Sequence, residues 1–423
     1  MKKYALFALF ASAAGFALAD EFTAVSSGNW TDTSVWQDGL IPNAEGTVSF
    51  MNGIELDVTT AVTVKNTPWA NHLATINITG AGASLTYTTE LTMFGNTRLT
   101  INVEDGATLD SAKINWGDGG NSNIYVTNGS TLNANFDQMK GSALSRGGSE
   151  LVIDNSSALM KNQWNIGCDN QSDYSLVVKV SGENAVLQGA SSRQTLAFRA
   201  KSTSIAKLIM SDGAQGNIYD LNVGTGTDGG ENRIIIQGAG TALAANSVNI
   251  GKNDGTEGAL SVLQFGGFDE SGNFEAAGAA ALSNSWEVKV QDSGTILYLL
   301  GAENASLTQD KSSAIFKAQY FKSVNGIMEV DLSNIAGLAE GDYWFALLSS
   351  AQDISNSSPY TLDGVPFDWN TQLKITDTGA YTYNGWEVAS NTLYISVHVP
   401  EPATYAAIFG ALALAFAAYR RRK

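Results

Sequence analysis

Apolar and polar residues alternate with a period of two through the middle of the chain, in runs of four to six residues. The alternation predicts strands with one buried face. One phrase recurs: an alternating strand, a Gly/Asn turn, a small residue and a leucine. It reads Ile76-Asn77-Ile78-Thr79-Gly80-Ala81-Gly82-Ala83-Ser84-Leu85, then Ile101-Asn102-Val103-Glu104-Asp105-Gly106-Ala107-Thr108-Leu109, then Ile124-Tyr125-Val126-Thr127-Asn128-Gly129-Ser130-Thr131-Leu132. Looser copies cover 151–159, 176–187, 208–214 and 234–243. Gly82, Gly106 and Gly129 are 24 and 23 residues apart. A second phrase, apolar-Asn-apolar-Gly, falls between copies of the first: Ile114-Asn115-Trp116-Gly117, Asn165-Ile166-Gly167, Leu221-Asn222-Val223-Gly224 and Val248-Asn249-Ile250-Gly251.

Each repeat therefore carries at least two short strands, with glycine and asparagine supplying positive φ at the corners. A repeat of this length suits one coil of a β-solenoid, because no single coil can bury its apolar face alone and stacking buries it continuously. The expected class is all-β: a right-handed parallel β-helix (β-solenoid) with a C-terminal β cap, plus short signal and anchor helices at the termini. Antiparallel hairpins in a sandwich or propeller are the alternative. Residues 20–70 are expected to form an N-terminal cap and first coil, 71–264 the repeats, and 265–398 the last coils or a cap. The stretch 265–285, rich in Gly, Ala and acids, is expected to be a loop or joint.

The ends follow a different pattern. Lys2 and Lys3, an apolar run and Ala17-Leu18-Ala19 match a secretory signal peptide over 1–19, with cleavage between Ala19 and Asp20. Residues 399–423 read V-P-E-P-A-T-Y, an apolar run, then Arg420-Arg421-Arg422-Lys423. The 17 residues 403–419 would rise about 25 Å as a helix, at the short limit for a hydrocarbon core of roughly 30 Å. Much of the run is alanine, so it reads as a marginal, temporary anchor. Its terminal cations would stay cytoplasmic.

Pro400-Glu401-Pro402, the short apolar helix and Arg420, Arg421 and Arg422 resemble, in order and position, the PEP-CTERM sorting signal of Gram-negative bacteria. That resemblance implies recognition by an exosortase-type enzyme after passage through the secretion translocase and signal peptidase. It also implies removal of the tail and delivery to the cell surface or extracellular matrix, with transient inner-membrane anchoring and exopolysaccharide as a partner. A plain single-span anchor is the alternative. The W-x5-W-x2-G-x2-P stretch of Trp30, Trp36, Gly39 and Pro42 resembles the start of autotransporter-passenger-type surface β-helix proteins. In plain physical terms the two indoles cover the open end of the first coil; sugar stacking is the sharper reading.

Charge narrows the partners. The 423-residue chain carries −17, and without its two ends about −22, which repels nucleic acid and anionic lipid. The single cysteine, Cys168, permits no intrachain disulfide. Only two histidines occur, His72 and His398, and no G-x-S-x-G, HExxH or CxxC phrase. No catalytic, cofactor or metal residue is therefore assigned. Carboxylate chemistry stays open, since a glycosidase needs only two acids at the correct separation. Asp118, Asp169, Asp173, Asp228, Glu231, Asp254 and Glu257 follow the second phrase in successive repeats. They are expected either to line one edge as calcium sites or a sugar-binding ridge, or to be solvated turn residues. Two functions follow: a non-catalytic surface β-solenoid, adhesive or associated with matrix polysaccharide; alternatively a β-helix carbohydrate-active enzyme.

Overall fold

A computed structural model describes residues 21–67, 73–93, 98–117, 120–139, 141–143, 145, 147–167, 173–189, 194–224, 229–251, 260–323, 325–354, 368–377, 381–400, 410–414 and 420. The chain is all-β with two long, mainly parallel sheets, an arrangement compatible with a β-solenoid.

The first copy of the alternating phrase shows how one repeat is spent. Leu73–Thr79 lies in a 14-stranded first sheet, the chain turns at Gly80–Ala83, and Ser84–Met93 enters an 18-stranded second sheet. The next repeat repeats the path: Arg98–Glu104 pairs parallel with Leu73–Thr79, and Thr108–Ser111 with Ser84–Met93. The first phrase is thus not one element. It spans both sheets, and its leucine already belongs to the second. The second phrase supplies a further straight segment of that second sheet. Ile114–Trp116 pairs with Leu91–Met93 at one side, and Asn115–Trp116 with Gln138–Met139 at the other. Each rung therefore has three straight segments, with a bend inside the second sheet between the two phrases.

Register carries the alternation from rung to rung. Leu56, Ile76, Ile101, Ile124, Leu151, Val178, Leu208, Ile234, Leu263, Ile296 and Met328 stand directly opposite one another in succession. All are buried, inside one continuous apolar cluster. The leucines of the first phrase, Leu85, Leu109 and Leu132, make a matching row on the second sheet. Near the bend the core turns aromatic. Phe136 meets Trp164 edge-on at 4.7 Å, and the Trp164 indole N–H donates to the Ala134 carbonyl at 3.2 Å.

The corner between the sheets explains the small residue of the phrase. Ala83, Ala107, Ser130, Ser156, Ala185 and Ala214 are all buried there, one above another. Successive corners are tied by backbone bonds: the Thr108 N–H donates to Ala83, Thr131 to Ala107 and Ser157 to Ser130, at 2.9–3.0 Å. A larger side chain has no room to point inward. Gly129 turns this corner at φ +76°, following Asn128 at φ +54°. Gly224, at the end of the second phrase, is fixed differently: a Cβ there would sit 1.8 Å from the Ser261 hydroxyl oxygen.

The two ends are closed in different ways. At the start, Trp30 and Trp36 are both buried, 5.0 Å apart and edge-on, and the Trp36 indole N–H donates to the Trp30 carbonyl at 2.9 Å. At the far end the first sheet stays parallel through Gly294–Leu299, Ile327–Asp331 and Leu373–Asp377. The second sheet instead finishes antiparallel: Gly341–Ser350 pairs with Thr392–Val399, which pairs with Thr382–Ala389. That reversal ends the stack.

One reading needs correction. The stretch 265–285 is not a plain joint. Gly267–Phe268 and Phe274–Glu275 pair antiparallel as a small hairpin arm, and the next strand already begins at Leu282. Among the described residues no helix is long and apolar enough to cross a membrane. Residues 410–414 are helical and exposed. Ala17, Ala19, Asp20, Glu401, Pro402, Arg421 and Arg422 lie outside the described residues.

Ile153 sits mid-stack, fully buried between Val126 and Val180 of the neighbouring rungs. Replacing it with alanine leaves a void flanked on both sides, and is expected to cost about 2–5 kcal/mol. Equilibrium unfolding in urea, compared with the wild-type chain, checks this.

Candidate functional site

The hairpin arm covers a groove on the outer face of the first sheet. It leaves the end of Leu260–Phe265 and folds back over the outer face of the first sheet. Its tip is a self-closed turn. The Asn273 backbone and side-chain nitrogens donate to the two Asp269 carboxylate oxygens at 2.7 and 2.8 Å, and the Asp269 N–H donates to the Asn273 carbonyl at 2.9 Å. These bonds hold the Asp269 carboxyl below its ordinary range, the Asn273 side chain contributing most. Phe268 and Phe274 flank the turn edge-on at 5.7 Å, and Phe268 is 53% exposed.

Between arm and sheet runs a groove of about 620 Å³. Its floor comes from outward positions of neighbouring rungs, so parallel register alone brings together residues far apart in sequence. Tyr125 stands opposite Val152, and Val152 opposite Lys179. Lys179 is the centre. Its ammonium reaches Glu150 at 3.2 Å on the floor and Glu270 at 2.9 Å on the arm, bridging 91 positions of sequence in the second case. Partial burial pulls the Lys179 pKa down. The hydrogen bonds of Glu270 and Glu150 outweigh that and hold it above its ordinary value. Burial and the neighbouring Glu150 charge also push the Tyr125 hydroxyl up.

Six carboxylates line this groove: Glu150, Asp154, Asp212, Asp269, Glu270 and Glu275. Each meets a protein donor. Glu150 and Glu270 share Lys179, and Asp154 accepts from Ser181 at 3.1 Å. Asp212 accepts from Ser211 at 2.8 Å, Glu275 from Gln237 at 3.0 Å, and Asp269 is held by Asn273. The arrangement is a strongly acidic trough with two aromatic rings, Tyr125 and Phe268, on its surface. It can accept hydrogen bonds from a hydroxyl-rich or cationic partner.

Of the seven acids expected from the sequence to line one edge, two are described, Asp173 and Glu231. Asp118, Asp169, Asp228, Asp254 and Glu257 lie outside the described residues, as do Cys168 and His72. Of the two that are described, Asp173 takes positive φ and accepts from the Thr203 hydroxyl. Glu231 is held by Lys207 at 3.1 Å and Arg233 at 2.9 Å. They do not share a row, because Glu231 stands in line with Ser175, two positions beyond Asp173. Among the described residues no group of three or more His, Cys, Asp or Glu is placed to hold a metal ion. His398 lies in the final antiparallel strand, 2.9 Å from Asp342. Pro400 directly follows that strand.

None of the six groove acids belongs to the expected acidic edge. One signal for them is present in the sequence. Phe268-Asp269-Glu270-Ser271-Gly272-Asn273-Phe274 has turn residues between matched aromatics, a hairpin signature in miniature. Glu150 and Lys179 occupy outward positions one rung apart but two residues out of step, visible only once the register is known.

Glu270 is 87% exposed, so its bond to Lys179 contributes little to global stability. Lys179→Met is expected to loosen the arm selectively. Deuterium uptake over 266–275 should accelerate while the unfolding free energy changes by less than about 1 kcal/mol. Hydrogen exchange read by mass spectrometry checks both. No family model, curated protein or solved structure matches this chain.

Proposed function

We propose that the chain is an exported, non-catalytic right-handed parallel β-helix. An exosortase-type system sorts it through Pro400-Glu401-Pro402 and the Arg420–Arg422 cluster to the cell surface or matrix, where its outer faces engage polysaccharide. The observation that supports this most is the continuous parallel pairing of the first sheet from Ile54–Val58 to Leu373–Asp377, which keeps one buried row in register from Leu56 to Met328. Such a stack spends its sequence on a long, rigid body with polar side chains displayed in rows. A right-handed path is the ordinary one for parallel crossovers. The acidity of the chain suits a body that must stay dispersed outside the cell.

The delivery step is tested by expressing the full chain in a Gram-negative host with and without an exosortase-type enzyme. Mass spectrometry of the C-terminus should show loss of the tail only when the enzyme is present. Replacing Pro400 and Pro402 with alanine should abolish that loss. The delivered protein should co-sediment with extracted exopolysaccharide; failure to do so sinks the matrix assignment.

A second reading, a β-helix carbohydrate-active enzyme, draws on the six carboxylates beneath the arm. A hydrolase there needs one acid free to donate a proton and a second on the opposite side of the sugar. Incubation with a panel of polysaccharides is expected to release no new reducing ends. Release that disappears in Glu150→Gln or Glu270→Gln would establish the enzyme instead.

A further inference from the structure

A second groove lies on the opposite sheet and has a different chemistry. It follows the bend of the second sheet and encloses about 760 Å³, within the range of sites that hold an oligomeric small ligand. Its described lining contains no charged side chain, on a chain of net charge −17. One row across the strands is Gln188, Asn217, Ala244 and Ser283, set directly opposite one another by the parallel register. Successive residues of this row stand ~4.8 Å apart along the stack, a spacing close to one pyranose ring. Gln188 and Asn217 are exposed, and each offers an amide donor and acceptor. Ala244 and Ser283 are small and leave the trough open. Tyr219, Asn246 and Ser285 form the far wall. Asn284 is already committed, donating to the Asn246 carbonyl at 2.5 Å and accepting from the Gln319 N–H at 3.4 Å, so it braces the wall.

Immediately after Ser285 the strand bulges, with Ala245 opposite Asn284 and Ser247 opposite Glu287. The bulge re-aims Trp286, which stands 58% exposed. Tyr320 of the next rung supports it edge-on at 5.6 Å. An exposed indole braced by a second ring at the end of an amide-lined trough offers a flat apolar face beside paired hydrogen-bonding groups. A sugar ring presents the same combination: C–H groups on its faces and hydroxyls at its rim.

We infer that this groove binds a neutral oligosaccharide chain running along the stacking axis, with one ring on Trp286 and hydroxyls bonded to Gln188, Asn217 and Tyr219. The absence of charge in the described lining selects against uronic-acid and sulfated chains, which the negative field of the chain also repels. The inference deepens the proposed polysaccharide contact and rests on that reading for its ligand class.

The full chain is titrated with neutral hexa-saccharides (cellohexaose, laminarihexaose, maltohexaose) and with polygalacturonate. Tryptophan fluorescence and affinity electrophoresis report binding. At least one neutral hexasaccharide should bind, and polygalacturonate should not. Trp286→Ala and Asn217→Ala should each weaken binding about tenfold or more. Leu307→Ser, at an apolar side chain 70% exposed elsewhere, should leave it unchanged. Circular dichroism of the variants confirms the fold. Three results would overturn the site: binding that both variants retain, equal binding of polygalacturonate, or no binding by any neutral hexasaccharide. If exopolysaccharide co-sedimentation persists in any of these cases, the proposed function stands and only this groove is excluded; if it fails as well, the function falls with it.

Discussion

The structure depends on one constraint: a rung of this chain cannot bury its own apolar side chains and must stack them on the next. The row from Leu56 through Ile101, Val178 and Ile234 to Met328 is the result. The residues of this row are aliphatic, with Met328 at its end, and each interior one stands against an equivalent residue above and below. A one-residue slip between rungs would send the whole inward set to solvent. The same alternation that makes a strand therefore also makes the stack.

Stacking places strict demands on corners and weak ones on loops. Corner positions are small because backbone bonds such as Thr131 to Ala107 bring successive turns together with little space between them. The outward faces carry no such demand, so they can support functional variety. The first sheet's face is covered by an arm and lined with acids around Lys179. The second sheet's bend carries an uncharged amide trough beside Trp286. One scaffold thus displays two surfaces of different charge, separated by the thickness of the core.

The repeats were legible because periodicity and turn chemistry are local. Gly129 following Asn128, the small residue and the leucine announce each corner, and Trp30 with Trp36 announces the closed start. The turn of the arm was legible in Phe268 to Phe274, but its docking on the sheet was not. Its strands are two residues long, and contacts such as those of Glu270 with Lys179 and Glu275 with Gln237 set it against the sheet. The two described acids of the expected edge are out of line for a related reason. Asp173 and Glu231 occupy similar places in their phrases, but loops of unequal length put them two positions apart in register.

The sequence by itself determined the strand class, the length of the repeat and the inward residues, because each of these is written within a few neighbouring residues. The tertiary structure decided which outward residues meet. Glu150, Lys179 and Glu270 form one cluster, and Gln188, Asn217 and Trp286 lie along one bend, only because parallel register and a bulge bring residues of different rungs together. That information resides in the alignment of rungs, which loop lengths and core packing set jointly, and no single repeat contains it.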